Sequence, residues 1–373
     1  MKTKKNVCIL SMQRIDNMGS LLQAYGLRKF LTQFGCNVEF KDIRRIDDDY
    51  ALVSDYFQNF GNEFEKTGFI GKLSKIDRYF FNRLKTRTLE KQQHNKFERF
   101  RYSELKLQHK KEKYDLCVIG SDEVFNCINT GYWGFTSQLF GNVPEAKSVI
   151  TYAASCGSTT IDDIPNTVKN RIQETFSKID AFSVRDKNTY NFVRSLTSKS
   201  IEYNLDPVLV SDYRTEMESV EMPKVPQRYC IVYSYRNRIH DRKEIKEIKK
   251  FCRKHMLVPI AVGAPQAWIS NYVVCSPFQC LKLFEKSEYV ITDTFHGTIF
   301  SVKYAKRFGI LLRKSNNNKL GDLVERLDIS DHVMDNITDL EETYYINKSE
   351  QVVNRILSEE RVKTCDYLER HIV

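Results

Sequence analysis

The chain has 373 residues, 41% of them hydrophobic and 28% charged, with a formal net charge of +10. This is an ordinary globular composition, and the length favours two domains. No run approaches the ~20 apolar residues of a membrane span, and Met1–Lys5 leads only into the short run Val7–Leu10, so no secretory signal is read and a cytoplasmic protein is expected.

Asn6–Met12 reads as a strand buried on both faces, followed by the polar loop Gln13–Ser20. Leu21, Leu22, Tyr25, Phe30, Leu31 and Phe34 then recur at helical spacing, Gly35 ends the helix, and Val38–Ile43 is the next strand. This is the β-loop-α-β opening of a Rossmann-like domain. Residues 66–113 carry 15 Lys and Arg against 5 Asp and Glu, an excess equal to the whole net charge. The spacing of Leu73, Ile76, Phe80 and Leu84 predicts a basic amphipathic helix there. Such a helix either packs its apolar stripe into the domain or rests on an anionic membrane surface. A patch so local, in place of an evenly basic surface, argues against a nucleic-acid partner.

Alternation resumes with the strands Asp115–Gly120 and Ser148–Ala154, the helix Asn166–Ile179, and the strand Ala181–Val184 running into Arg185. Ile201–Val210 leads to a polar linker, 211–227, that carries Pro223 and Pro226. A second alternating set follows: strand Cys230–Tyr235, helix Asp241–His255, strand Leu257–Val262, helix Gln279–Lys286, strand Tyr289–Ile291, helix Gly297–Lys306, then Gly309–Leu312 and Leu320–Leu327. The last stretch, Lys348–Leu368, is helical. The expected fold is therefore α/β, with two Rossmann-like domains and an interdomain cleft. The domains are 1–210, with the basic helical insertion 66–113, and 228–347, with 211–227 as linker and 348–373 as a helix packing back on the first domain.

The ten cysteines are scattered, mostly in apolar runs, and no Cys-x-x-Cys pair occurs. They read as reduced core thiols. The seven histidines are isolated, so no metal site is expected, and no Walker loop or G-x-G-x-x-G is present.

Four segments sit at strand ends, where open α/β sheets put their ligands. Asn17, Gly19, Ser20 and Gln23 open a helix and either present N–H groups to an anion or sugar hydroxyl or form a plain N-cap. Gly120-Ser121-Asp122 places a hydroxyl and a carboxylate at the sheet edge, the carboxylate serving as a general base or as a helix cap. Ser183-Val184-Arg185-Asp186 delivers an arginine to the same edge, either as a fork for carboxylate or phosphate or as half of a surface pair. Thr292-Asp293-Thr294-Phe295-His296-Gly297-Thr298 puts a histidine at a helix mouth, either as a cap or surface residue or, as the flanking Thr and Gly favour, as part of an anion site whose free N–H donors suit a phosphate.

In this order, Asn-x-Gly-x-x-x-Gln-Ala-Tyr (17–25), Gly120-Ser121-Asp122, Tyr152-Ala153-Ala154-Ser155-Cys156-Gly157, Ser183-Val184-Arg185, Leu205-Asp206-Pro207-Val208-Leu209 and Thr292–Gly297 resemble the polysaccharide pyruvyl transferases. The resemblance implies two domains arranged as in GT-B glycosyltransferases, phosphoenolpyruvate as donor and co-substrate with no other cofactor, and a sugar or oligosaccharide of a surface polysaccharide, free or lipid-linked, as acceptor. Met18 stands where the family pattern has Tyr, Phe125 where it has Trp, and Cys156 where it has Phe. Several members have Arg-Leu-His-Gly where this chain has Thr294-Phe295-His296-Gly297, so either another cation replaces that arginine or the donor differs.

Ketal formation from phosphoenolpyruvate needs an acid for the methylene carbon, a base for the sugar hydroxyl, and cations for carboxylate and phosphate. The catalytic candidates are His296 as acid, Asp122 as base and Arg185 as clamp. Arg185, Thr294, His296, Gly297 and Thr298 are the expected donor contacts. Asn17, Gly19, Ser20, Gln23 and Ser121 are the expected acceptor contacts. Two other readings remain: a GT-B-type glycosyltransferase using a nucleotide sugar, and a non-catalytic module binding anionic glycans or a membrane surface through 66–113.

Overall fold

The structure is a computed structural model; it describes residues 4–44, 46, 49, 76–107, 112–128, 134–313 and 317–372, with side chains of 76–85 and 317–318 excepted. Two parallel six-stranded sheets with flanking helices form the expected pair of α/β domains. The first has the order β2-β1-β3-β4-β5-β6, with β1 Asn6–Leu10, β2 Asn37–Phe40, β3 Tyr114–Asp122, β4 Ala146–Ala154, β5 Phe182–Val184 and β6 Ile201–Tyr203. The second has the order β12-β11-β10-β7-β8-β9, with β7 Tyr229–Tyr233, β8 Val258–Val262, β9 Tyr272–Val273, β10 Tyr289–Thr292, β11 Phe308–Leu311 and β12 Val333–Met334.

The central strands are apolar without alternation because helices cover both faces of a parallel sheet. Val7–Leu10 lie in register with Leu116–Ile119, and all eight residues are buried. In each sheet the strand order reverses at one point, between β1 and β3 in the first and between β7 and β10 in the second. A crevice opens at the carboxyl ends of strands where such a reversal occurs. Most of the candidate residues lie at or just past the carboxyl ends of these strands, and Arg185 lies just past β5 in the same sheet.

Several expected boundaries shift for identifiable reasons. The helix expected to open at Gly297 begins at Phe295, because Thr294 caps it by accepting from the Gly297 N–H at 3.0 Å; His296 therefore sits inside the first turn. Ile201–Val210 divides into β6 and a short helix, Pro207–Val210, capped by Asp206. A helix at Lys187–Arg194, not anticipated, is capped by Asp186, which is buried and so forms no surface pair with Arg185.

The two domains share one apolar core, which runs from Val7 and Leu21 to Ile231 and Phe300. At their contact, Tyr25 of helix α1 (Met18–Gln33) and Phe100 at the end of helix α2 (Ile76–Phe100) each meet Phe278 edge-on at 5.0 Å. Gln93 of α2 also binds the second domain through its amide: Nε2 donates to Cys275 O at 2.8 Å and Oε1 accepts from Cys275 N at 3.0 Å. The described end of the basic segment is thus packed into the chain. Of its expected apolar stripe, Leu73 lies outside the described residues, and the side chains of Ile76, Phe80 and Leu84 lie outside the described side chains. Among the described residues no helix is long and apolar enough to cross a membrane. The last helix, Glu350–Ile372, lies on the first domain, where Tyr367 donates to Thr151 O at 2.7 Å.

Candidate active site

A cleft of about 270 Å³ lies between the carboxyl edges of the two sheets. Its first wall comes from the loop after β1 and the start of α1, with Ile15, Asn17 and Ser20, and from Asp122 and Glu123 after β3. Arg185, one residue past β5, forms its base. The second domain contributes Tyr235 after β7, Phe295 and His296 of helix α3 (Phe295–Tyr304), and Lys319 of helix α4 (Asn317–Arg326).

Asp206 organises this base. It is fully buried, and its Oδ1 accepts from the Val208 N–H at 2.9 Å. Its Oδ2 accepts from Arg185 Nη1 at 3.1 Å and from Gln23 Nε2, and His296 Nε2 lies 3.6 Å from the same oxygen. Burial pushes the Asp206 carboxyl up, but the His296 contact, the positive charges of His296 and Arg185, and the Val208 N–H outweigh it. Its pKa lies below the ordinary carboxylate value. Arg185 keeps only 3% of its side chain exposed and stacks its guanidinium 4.2 Å over the Phe295 ring of the other domain. Arg185 Nε is buried with no hydrogen-bond partner, which in a cleft marks a group that awaits a ligand, whereas His296 Nε2 faces Asp206.

Asp122 stands on the first wall. Its Oδ2 accepts from Ser20 Oγ at 2.6 Å and its Oδ1 from the Glu123 N–H at 2.9 Å. Its φ of +96° lies in the left-handed region, where a residue other than glycine is uncommon and is held by its surroundings. Asn17 caps α1, accepting from Gly19 N at 2.8 Å and Ser20 N at 3.3 Å, and still borders the cleft.

The remaining expected residues lie behind the surface. Gln23 and Ser121 are fully buried, and Gln23 Nε2 joins Ser121 Oγ at 3.0 Å to Asp206. Thr294, Gly297 and Thr298 lie beneath His296, with their donors in use: Gly297 N by Thr294 Oγ1, Thr298 N by Thr294 O at 3.0 Å, and Thr298 Oγ1 by the same carbonyl at 3.1 Å. Gly297 is required for this packing, since a Cβ would stand 2.0 Å from Thr292 Oγ1.

Sequence reasoning gave no role to Asp206, Glu123, Tyr235 or Lys319. Asp206 was visible in Leu205-Asp206-Pro207-Val208-Leu209 only as part of the family resemblance; in the structure it also caps the short helix Pro207–Val210. Lys319 belongs to no motif. Among the described residues, Asp16, His94 and Glu98 also bring possible metal-ligand atoms within 4.8 Å of one another. Arg101 already pairs with both carboxylates of that group, at 2.7 Å to Asp16 and directly to Glu98.

The family model for polysaccharide pyruvyl transferases matches residues 17–315. The chain belongs to the polysaccharide pyruvyl transferase family. The matched span takes in every residue of the cleft named above except Ile15 and Lys319. Comparison with curated proteins gives no match. Among solved structures, the chain is similar to the S. aureus MnaA–UDP complex, at 12% identity and a TM-score of 0.44 over 96% of this chain and 88% of that one. It is similar to the UDP-GlcNAc 2-epimerase of Methanocaldococcus jannaschii, at 12% identity and a TM-score of 0.44 over 96% and 100%. It is also similar to the calicheamicin glycosyltransferase CalG4, at 11% identity and a TM-score of 0.44 over 100% and 99%.

Proposed function

We propose that this polysaccharide pyruvyl transferase family member uses phosphoenolpyruvate to build a pyruvate ketal on two hydroxyls of a sugar, releasing inorganic phosphate. The observation that carries the reading is the convergence of Arg185 and His296, from different domains, on Asp206 Oδ2 at the base of one cleft. A cation and a proton-carrying ring side by side are what an anionic enol donor requires.

Arg185 holds an acidic group of the donor, with Asp206 fixing the guanidinium plane. With Nε2 of His296 turned to Asp206, Nδ1 is the ring nitrogen left to protonate the methylene carbon, which becomes the methyl group. The first sugar hydroxyl bonds to the resulting cationic carbon and gives its proton to Asp122, directly or through Ser20 Oγ. The C–O bond to phosphate then breaks, and the second hydroxyl closes the ring. Of the two hydroxyl protons, one balances the new methyl group and the other leaves on phosphate.

The test is incubation with phosphoenolpyruvate and a panel of simple glycosides. The reading predicts phosphate release together with a glycoside heavier by pyruvate less water. Nucleotide release from a nucleotide sugar, with phosphoenolpyruvate untouched, would replace it with glycosyl transfer. Glycan binding without turnover of either donor would replace it with a binding module.

A further inference from the structure

Lys319 is a cation in the cleft without a role in the mechanism above. It projects from the first turn of α4 in the second domain, with 16% of its side chain exposed, and its ammonium lies 2.5 Å from Glu123 Oε1. Glu123 follows β3 in the first domain, so the pair crosses the cleft. Asn126 Nδ2 ties Glu123 to its own domain by donating to Oε2 at 2.8 Å. Gly157 lies against the same carboxylate, where a Cβ would come within 2.6 Å of Oε2.

The carboxylate also feels Arg185. Burial pushes the Glu123 pKa up, but Lys319, Asn126 and the Arg185 charge outweigh it and hold it at about 2. One carboxylate therefore pairs with a lysine of the other domain in a cleft that an arginine of its own domain also lines. Holding the domains together does not explain the pair, because the shared apolar core and the Tyr25–Phe278–Phe100 cluster already do so. Burying an ion pair is a poor way to gain stability, since desolvation offsets much of the attraction. The same charges are well suited to a small anion bearing a carboxylate or phosphate.

We infer that Lys319 and Arg185 form an anion clamp spanning the cleft, and that the Glu123 carboxylate competes with the incoming anion for it. Lys319 thereby supplies the second cation that the Thr294-Phe295-His296-Gly297 segment lacks. The identity of the anion rests on the donor reading above; the clamp itself does not.

Titration calorimetry with phosphoenolpyruvate and, separately, inorganic phosphate tests this on the full-length protein and its Lys319→Ala, Lys319→Arg and Glu123→Gln variants. Lys319→Ala should weaken anion binding on the order of tenfold, the loss of one charge-assisted contact. Lys319→Arg should keep most of the affinity. Glu123→Gln removes the competitor and should tighten binding several-fold. A simple interdomain latch would weaken binding in both Lys319→Ala and Glu123→Gln, and that shared sign would overturn the clamp. An unchanged affinity in Lys319→Ala would also overturn it, as would a Glu123→Gln variant that binds no tighter, even if Lys319→Ala fails to fold. If phosphate follows the expected pattern while phosphoenolpyruvate does not bind, the donor reading fails and the clamp stands. If phosphoenolpyruvate turns over while no variant shifts affinity, the clamp fails and the donor reading stands.

Discussion

The Cα of Gly19 lies against the imidazole of His296: a Cβ on Gly19 would stand 2.0 Å from His296 Cγ and 2.2 Å from Nδ1. The two residues belong to the first turns of α1 and α3, on opposite domains, so this contact sets where the ring sits relative to the first wall of the cleft. Gly19→Ala should push the ring aside. A displacement of this size at a proton donor costs on the order of 100-fold in kcat, with the circular dichroism spectrum unchanged. An alanine variant that turns over at the parental rate would contradict this placement.

Asp206 should matter to stability as well as to chemistry. Asp206→Ala leaves the Arg185 charge buried without its partner, at a cost of about 3–5 kcal/mol. Asp206→Asn, which retains one oxygen for the Val208 N–H but loses the acceptor shared by Arg185 and Gln23, keeps the cap and the side-chain volume and should cost less. Urea denaturation measures both. A loss below about 1 kcal/mol in the alanine variant would show that Arg185 does not depend on this carboxylate.

Arg185 and His296 should separate kinetically. Arg185→Ala removes a donor contact made in the ground state and strengthened in the transition state, raising the donor KM and lowering kcat together. His296→Asn keeps a hydrogen-bonding group but carries no transferable proton, so kcat falls while the donor KM stays near the parental value. Parental turnover in His296→Asn would remove the ring from the role of acid.

The Glu123–Lys319 pair predicts a pH signature. The folded-state pKa of Glu123, about 2, lies below its ordinary value of 4.5. A depressed carboxyl pKa adds stability that is present above the ordinary value and is lost as pH falls through the folded value. The difference in unfolding free energy between the parent and Glu123→Gln should therefore hold steady near neutrality and shift against the parent between pH 4.5 and 2. Urea titrations across that window would show it; a difference that ignores pH would rule the coupling out.

Much of the fold was legible because its strongest signals are local. Val7–Leu10 and Leu116–Ile119 are continuous apolar runs that a parallel sheet requires, and the helices announce themselves by spacing and caps. That Asp122, Arg185 and His296 border one cleft was legible for a related reason, since each lies at or just past the carboxyl end of a strand. What escaped was set by the meeting of two domains. No pattern in the chain tells that Lys319 reaches Glu123, 196 positions earlier, or that Gln23 points inward to Asp206 and away from the cleft. Thr294, Gly297 and Thr298 resembled an open anion site, but a cap spends the same donors internally, and sequence does not distinguish the two uses.

Helix α2 reaches the cleft without lining it. In the turn that follows it, Arg101 grips the loop after β1, donating to Gln13 O at 2.9 Å, Arg14 O at 3.0 Å and Asp16 Oδ1 at 2.7 Å, and upstream Gln93 holds the backbone of Cys275. That loop carries Ile15 and leads to Asn17, both lining the cleft on the side that the proposed reaction gives to the acceptor. Under that proposal the segment is a tuning element. Substitutions along it would then reshape which sugars the wall admits while leaving Asp206, Arg185 and His296 untouched, so that acceptor preference and chemical competence could diverge independently within one scaffold.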